Sequence, residues 1–208
     1  MIELGGGCRV IGPEDGKVAR EGNRRWRQTI GQFIQARDIA QVESLVNAGV
    51  TDGRINPTSE EVHFVLEGAG TCYIDGYAYT VEPGSAAYVP PGAACCWQNP
   101  GPGPLRIVSV CCPEAHDGSR GLVPLTEPAD PARPAPPRVI HERDRRAQQT
   151  GIRTFTVLAD NDVGCQRVTQ FLGVITPSEA PPHYHTYEEE IYIIDGTAVV
   201  ATKVAPTK

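Results

Sequence analysis

One stretch of this chain occurs twice. Thr58-Ser59-Glu60-Glu61, running on through His63 to Gly68, returns 128 positions later as Thr186-Tyr187-Glu188-Glu189, running on to Gly196. A period this long marks a duplicated domain rather than a solenoid unit, so two copies of one fold are expected. The local pattern predicts strands. Ile191-Tyr192-Ile193-Ile194 is a β-type run closed by Asp195-Gly196, and Asp75-Gly76 and Glu67-Gly68-Ala69-Gly70 give further turn signals. With 22 Gly and 19 Pro punctuating short apolar runs in 208 residues, a sandwich or barrel is favoured over a helical fold.

The second copy carries the chemistry. His183-Tyr184-His185-Thr186-Tyr187-Glu188-Glu189, with Gly196, reads H-x-H-x3-E-x6-G. Alternation along a strand turns His183 and His185 to one face, and Glu189 can return to that face across a short corner. Two neutral imidazoles and one carboxylate make a common ligand set for a divalent transition metal and leave positions open for water or substrate. The plainer possibility is a pair of surface histidines behind Pro181-Pro182, followed by a solvated Glu188-Glu189-Glu190 run. Glu188 and Glu190 could each act as a base or simply be hydrated. Tyr184 is expected to pack away from the metal face, and Tyr187 sits at the corner.

Downstream of the first copy, Gly84 to Gly92 reads G-x5-P-x-G, and Cys95 and Asn99 follow at fixed spacing. Together these segments resemble the two conserved motifs of the cupin superfamily, G-x5-H-x-H-x3,4-E-x6-G and G-x5-P-x-G-x2-H-x3-N. Pro177 replaces the leading Gly of the second copy. The resemblance implies a bicupin: all-β, two tandem jelly-roll barrels, the C-terminal one incomplete in this chain. Residues 1–122 would form the N-terminal barrel, residues 123–137 a stiff Pro-rich linker, and residues 138–208 the first part of the C-terminal barrel. The same offset carries the fourth ligand position to about residue 223, beyond Lys208.

The first copy departs from the family at the metal. Ile55 and Pro57 occupy the H-x-H positions and Cys95 the later His position, leaving Glu61 alone. The N-terminal barrel is therefore expected to lack the family metal site. An unusual site from Glu61, His63 and Cys95, with Cys96, is the alternative; buried Cys and His are more often core residues.

Composition bounds the rest. The net charge is −6, and Arg24-Arg25-Trp26-Arg27 is too small a basic cluster for a nucleic-acid footprint; it reads as a half-exposed strand with its arginines on the wet face. The first residues lack the basic and apolar regions of a signal peptide, no apolar stretch reaches bilayer length, and seven cysteines show no zinc-ribbon spacing. A cytoplasmic protein with free thiols, without membrane or nucleic-acid partners, is expected. Residues 31–48 fit either helix or strand, but Val42–Val50 aligns with Gln170–Ser178 and should be a strand; others are expected near 154–158 and 168–175.

Three functions are compatible with the resemblance, because fold does not choose among them. The first is a small-molecule enzyme (oxygenase, isomerase or decarboxylase) using Fe, Mn, Ni or Zn held by His183, His185 and Glu189. The second is a non-catalytic or regulatory module that binds a small molecule in the degenerate N-terminal barrel. The third is an assembly role in a homodimer with a structural metal.

Overall fold

The computed structural model describes residues 1–114, 121–123, 130, 132–179 and 183–202. From the amino terminus the strands are β1 (Ile2–Glu3), β2 (Arg9–Val10), β3 (Lys17–Glu21), β4 (Arg24–Ile30), β5 (Ala40–Val46) and β6 (Gly49–Val50). They continue with β7 (Gly53–Ile55), β8 (Glu60–Glu67), β9 (Gly70–Ile74), β10 (Tyr77–Val81), β11 (Ser85–Val89) and β12 (Ala94–Asn99). The last are β13 (Leu105–Cys112), β14 (Gly121–Val123), β15 (Val139–His141), β16 (Gln148–Thr150), β17 (Arg153–Ala159) and β18 (Gln170–Ile175). Residues 31–48 thus resolve into a short 3-10 turn, Gln32–Ile34, and the expected strand.

Two antiparallel sheets face one another. One has the order β15-β11-β8-β13-β5-β4-β3; the other has β10-β9-β12-β7-β14, with β6 also on β12. Their inner faces meet in one apolar core, with Val46, Val65, Leu105 and Ile107 from the first sheet against Cys72, Ile74, Val81 and Trp97 from the second. The closed barrels expected from the resemblance are not what the described strands form. At Gly68 and again around Pro83 the chain leaves one ladder for the other, so hydrogen bonding breaks at these corners and the result is an open sandwich. For the same reason Glu67-Gly68-Ala69-Gly70 is a sheet-to-sheet corner rather than a hairpin. Asp75-Gly76 does close the β9–β10 hairpin, with φ of 49° and 79°.

Of the expected linker, residues 124–129 and 131 lie outside the described residues; the chain that follows it joins this sandwich. Val139–His141, read from sequence as the start of the second half, adds to β11 as an edge strand, and Tyr88 N–H donates to Arg138 O at 2.8 Å. The chain then forms a three-stranded meander, β16-β17-β18, at the positions expected for strands. This unit covers the outer face of the seven-stranded sheet: Leu158 is 1% exposed against Phe64, Ala86 and Val108, while Val163 and Cys165 pack on Val62 and Tyr88. Residues 183–202 contain no strand. The β-branched run Ile191–Ile194 has no neighbouring ladder among the described residues, and Ile191, Ile193 and Ile194 stay exposed while Tyr192 packs against the Phe64–Leu158 cluster. The hairpin expected at Asp195-Gly196 is therefore absent among the described residues: the two form a bend, with Gly196 at φ 86° donating to Asp195 Oδ1 at 2.9 Å.

Candidate functional site

Strand β8 lies between β11 and β13, and alternation sends Glu60, Val62 and Phe64 outward and Glu61, His63 and Val65 inward. His63 is 1% exposed and Glu61 8%. His63 Nδ1 lies 2.8 Å from Ser109 Oγ on β13, its direct cross-strand neighbour. Its Nε2 lies 3.6 Å from Glu61 Oε2. Asn56 Nδ2 donates to Glu61 Oε1 at 3.2 Å, and Arg54 Nη2 stands 4.0 Å from Oε2. A buried carboxylate needs such compensation. Arg24 enters from β4, its Nε and Nη2 donating to Ser44 Oγ at 3.1 and 2.9 Å, and joins Arg54, Glu61 and Ser109 around a narrow cleft. A carboxylate and an imidazole this close can hold a polar ligand and move a proton on it.

Cys95 takes no part in this cluster. Its sulfur lies 3.9 Å from Cys72 Sγ inside the apolar core, and among the described residues no three His, Cys, Asp or Glu side chains gather as a metal-holding group. The expected Glu61–His63 pair is therefore present without the cysteines. Asn99, the other motif residue, is structural: its Nδ2 donates to Val46 O and Gly103 O at 2.7 and 2.8 Å.

Burial also governs the thiols. It raises Cys72 well above its usual range, pushes Cys96 to about 11 and Cys165 to about 12, and raises Cys112, in each case as the leading cause. Cys8 is the exposed one, and all seven are free. A disulfide-exchange reagent is expected to titrate one thiol per native chain and seven after denaturation; two or more fast thiols in the native protein would contradict this burial.

In the second copy, His185 Nε2 lies 3.1 Å from Glu189 Oε2, and the His183 and His185 rings meet edge to face with centroids 5.0 Å apart. His185 Nδ1 is 2.9 Å from Tyr187 Oη. His185 is thus close to each of the other two, on a segment that lies in no strand and bends at Thr186 and Tyr187, with His183 and His185 exposed. The donor types are those of transition-metal sites, but among the described residues the three donors do not converge on one point.

Glu190 behaves differently. Its Oε2 is buried and has no hydrogen-bond partner among the described residues. Desolvation first, and the Glu188 carboxylate second, push its pKa up to about 8 from 4.5. The folded state then holds a proton that the unfolded state has released, so the contribution of Glu190 to stability is greatest below pH 4.5 and falls as pH rises from there to about 8. Glu190→Gln is expected to abolish this fall in chemical-denaturation curves at several pH values; an unchanged pH profile would contradict the burial.

Sequence reasoning missed Arg24, Arg54 and Ser109. Arg24 was expected on the wet face of its strand, yet it is 5% exposed and lies over Trp26 at 5.9 Å. The signal was available in the spacing, since residues 24, 26 and 28 share one face of a strand. Arg54 and Ser109 are brought in by strand order, which no local pattern shows.

Residues 45–111 match the family described as Cupin domain. A 68-residue stretch is 36% identical to the uncharacterized protein MJ1618 of Methanocaldococcus jannaschii, covering 31% of this chain and 53% of that protein, so the chain spans about half the length of this relative. Among solved structures, a mutant of Bacillus subtilis oxalate decarboxylase OxdC superposes with a TM-score of 0.58 at 12% identity, over 71% of this chain and 52% of that one. A Streptomyces PAC13 variant with uridine gives 0.50 at 15% identity, over 58% and 93%; another structure of Pac13 is described as that of a nucleoside dehydratase. At these identities the two structures bear on fold alone. No helix of the described residues is long and apolar enough to cross a membrane. Residues 45–111 thus match a cupin domain, and these solved structures share the chain's fold.

Proposed function

We propose that this protein is a metal-dependent small-molecule enzyme of the bicupin type, in the oxygenase, isomerase or decarboxylase class, with its metal held by His183, His185 and Glu189. One observation carries the reading: His185 Nε2 stands 3.1 Å from Glu189 Oε2, with the His183 ring edge-on at 5.0 Å. Ligand atoms roughly 2.1 Å from a shared metal stand about 3.0–3.4 Å from each other, so the first of these spacings, that of a direct His–Glu contact, is also compatible with two ligands on one ion. When bound, a divalent Fe, Mn, Ni or Zn ion would act as a Lewis acid toward a chelating hydroxy, keto or carboxylate group. Tyr187, at Nδ1 of His185, fixes the ring so that Nε2 faces Glu189. The two fold neighbours, a decarboxylase and a dehydratase by name, favour small molecules as the substrate class. A homodimer is part of the same proposal.

A second reading has its own observation. The Glu61–His63–Arg54 cluster favours a binding or regulatory role for the N-terminal half, which takes a polar small molecule without a metal. Metal analysis of protein purified without chelator separates the two. The enzyme reading predicts about one transition metal per chain, lost in His185→Ala and retained in Glu61→Gln. A metal-free protein that binds a small organic acid, and loses it in Glu61→Gln, would overturn it in favour of the second.

A further inference from the structure

The carboxylates of Glu60 and Glu188 do the same thing in opposite directions. Glu60 Oε1 and Oε2 accept from the backbone N–H groups of Gln166 and Arg167 at 2.8 and 2.9 Å. Glu188 Oε1 and Oε2 accept from those of Arg37 and Asp38 at 2.7 and 2.8 Å, and Oε2 also from Ile39 at 3.2 Å. Glu60 and Glu188 occupy matching positions of the repeat at the offset of 128, and the amides that they grip correspond after a shift of one residue. Each pair of amides follows a 3-10 turn that ends in a left-handed residue: Gln32–Ile34 with Gln35 at φ 65°, and Asn161–Val163 with Gly164 at φ 106°. The internal bonds of the two turns also correspond. Ala36 N–H donates to Gly31 O at 3.3 Å, and Cys165 N–H to Asp160 O at 3.0 Å. Successive N–H groups presented by such a turn form a cradle for an anion, and a carboxylate there makes charge-assisted bonds.

We infer that Glu60 and Glu188 are reciprocal tethers, each fastening the acidic pair of its own half to a backbone cradle on the other half. Glu188 is on this account the positioning residue for Glu189. The two are adjacent and point opposite ways, one to Arg37 and Asp38 and the other to His185. Glu60 and Glu61 divide the work identically, Glu60 reaching Gln166 and Glu61 facing His63. The second half depends on its tether more heavily. Its motif lies in no strand, and Glu188 together with the packing of Tyr192 anchors it among the described contacts. Because backbone donates, the gripping positions share no side chain: Arg37 and Asp38 on one side, Gln166 and Arg167 on the other.

The positioning role rests on the metal reading above; the tethers themselves do not, and two measurements on the full chain keep them apart. Amide hydrogen exchange should be about tenfold faster or more at Arg37 and Asp38 in Glu188→Ala, with Gln166 and Arg167 unchanged, and Glu60→Ala should show the reverse. Unchanged exchange at the released amides overturns the tethers. Zn(II) titration should show Glu188→Ala binding about 10–100-fold more weakly than wild type, as expected for a residue that orients a ligand, with Glu60→Ala within about threefold. Faster exchange with unchanged zinc affinity overturns the positioning role alone. A wild-type chain that does not bind zinc removes the metal reading and the positioning role together, while the exchange data still decide the tethers. Should Glu60→Ala fail to fold, Glu60→Gln, which keeps one carbonyl acceptor, and the Glu188 arm carry the test.

Discussion

Leu158→Ala is expected to lower the unfolding free energy by about 2–5 kcal/mol, the range for emptying a fully buried leucine position. Leu158 comes from the second half of the chain, yet it is 1% exposed because Phe64, Ala86 and Val108 on the outer face of the seven-stranded sheet close around it. Those three side chains would otherwise line a wet sheet face, so the cavity left by the substitution lies at the seam between the halves. Urea denaturation followed by fluorescence reads the effect as a lower midpoint at unchanged slope. A loss below about 1 kcal/mol would mean that the meander does not cover the sheet.

Gly68→Ala should be nearly as damaging, and far worse than the same change at its repeat partner Gly196. Both glycines have positive φ, 81° and 86°, and alanine in that region costs about 1–2 kcal/mol. Only Gly68 is also crowded. A Cβ there would sit 2.6 Å from Pro104 O and 3.0 Å from Leu105 Cα, both backbone atoms, whereas nothing lies within 4 Å at Gly196. The added overlap brings the expected total to about 3 kcal/mol or more at Gly68, against about 1–2 kcal/mol at Gly196. Matched thermal or urea melts of the two variants check the contrast; equal losses would contradict the corner described at β8–β9.

These two cases show what could be read from residues alone. The turn glycines, the Asp75-Gly76 hairpin, the strands near 154–158 and 168–175, and the shared face of Glu61 and His63 follow from local pattern, because turn chemistry and alternation act within a few residues. What escaped depends on which strands become neighbours. Arg54 reaches Glu61 through strand order, and Ser109 reaches His63 through the β8–β13 register. Glu188 could be read as base, charge run or ligand neighbour; its bonds to Arg37, Asp38 and Ile39 span about 150 residues of sequence and use no side chain on the receiving side. Ile191–Ile194 shows the opposite failure, where a strand-like composition makes no strand among the described residues because no ladder lies beside it.

The central claim is that His183, His185 and Glu189 grip one metal. Crystals of the chain grown with a transition metal, measured on either side of that metal's absorption edge, test it most directly. The account predicts one strong anomalous peak within about 2.0–2.2 Å of an imidazole nitrogen from each histidine and a Glu189 oxygen. A peak beside Glu61 and His63 instead, or full metal loading with no peak at the histidine pair, would contradict it.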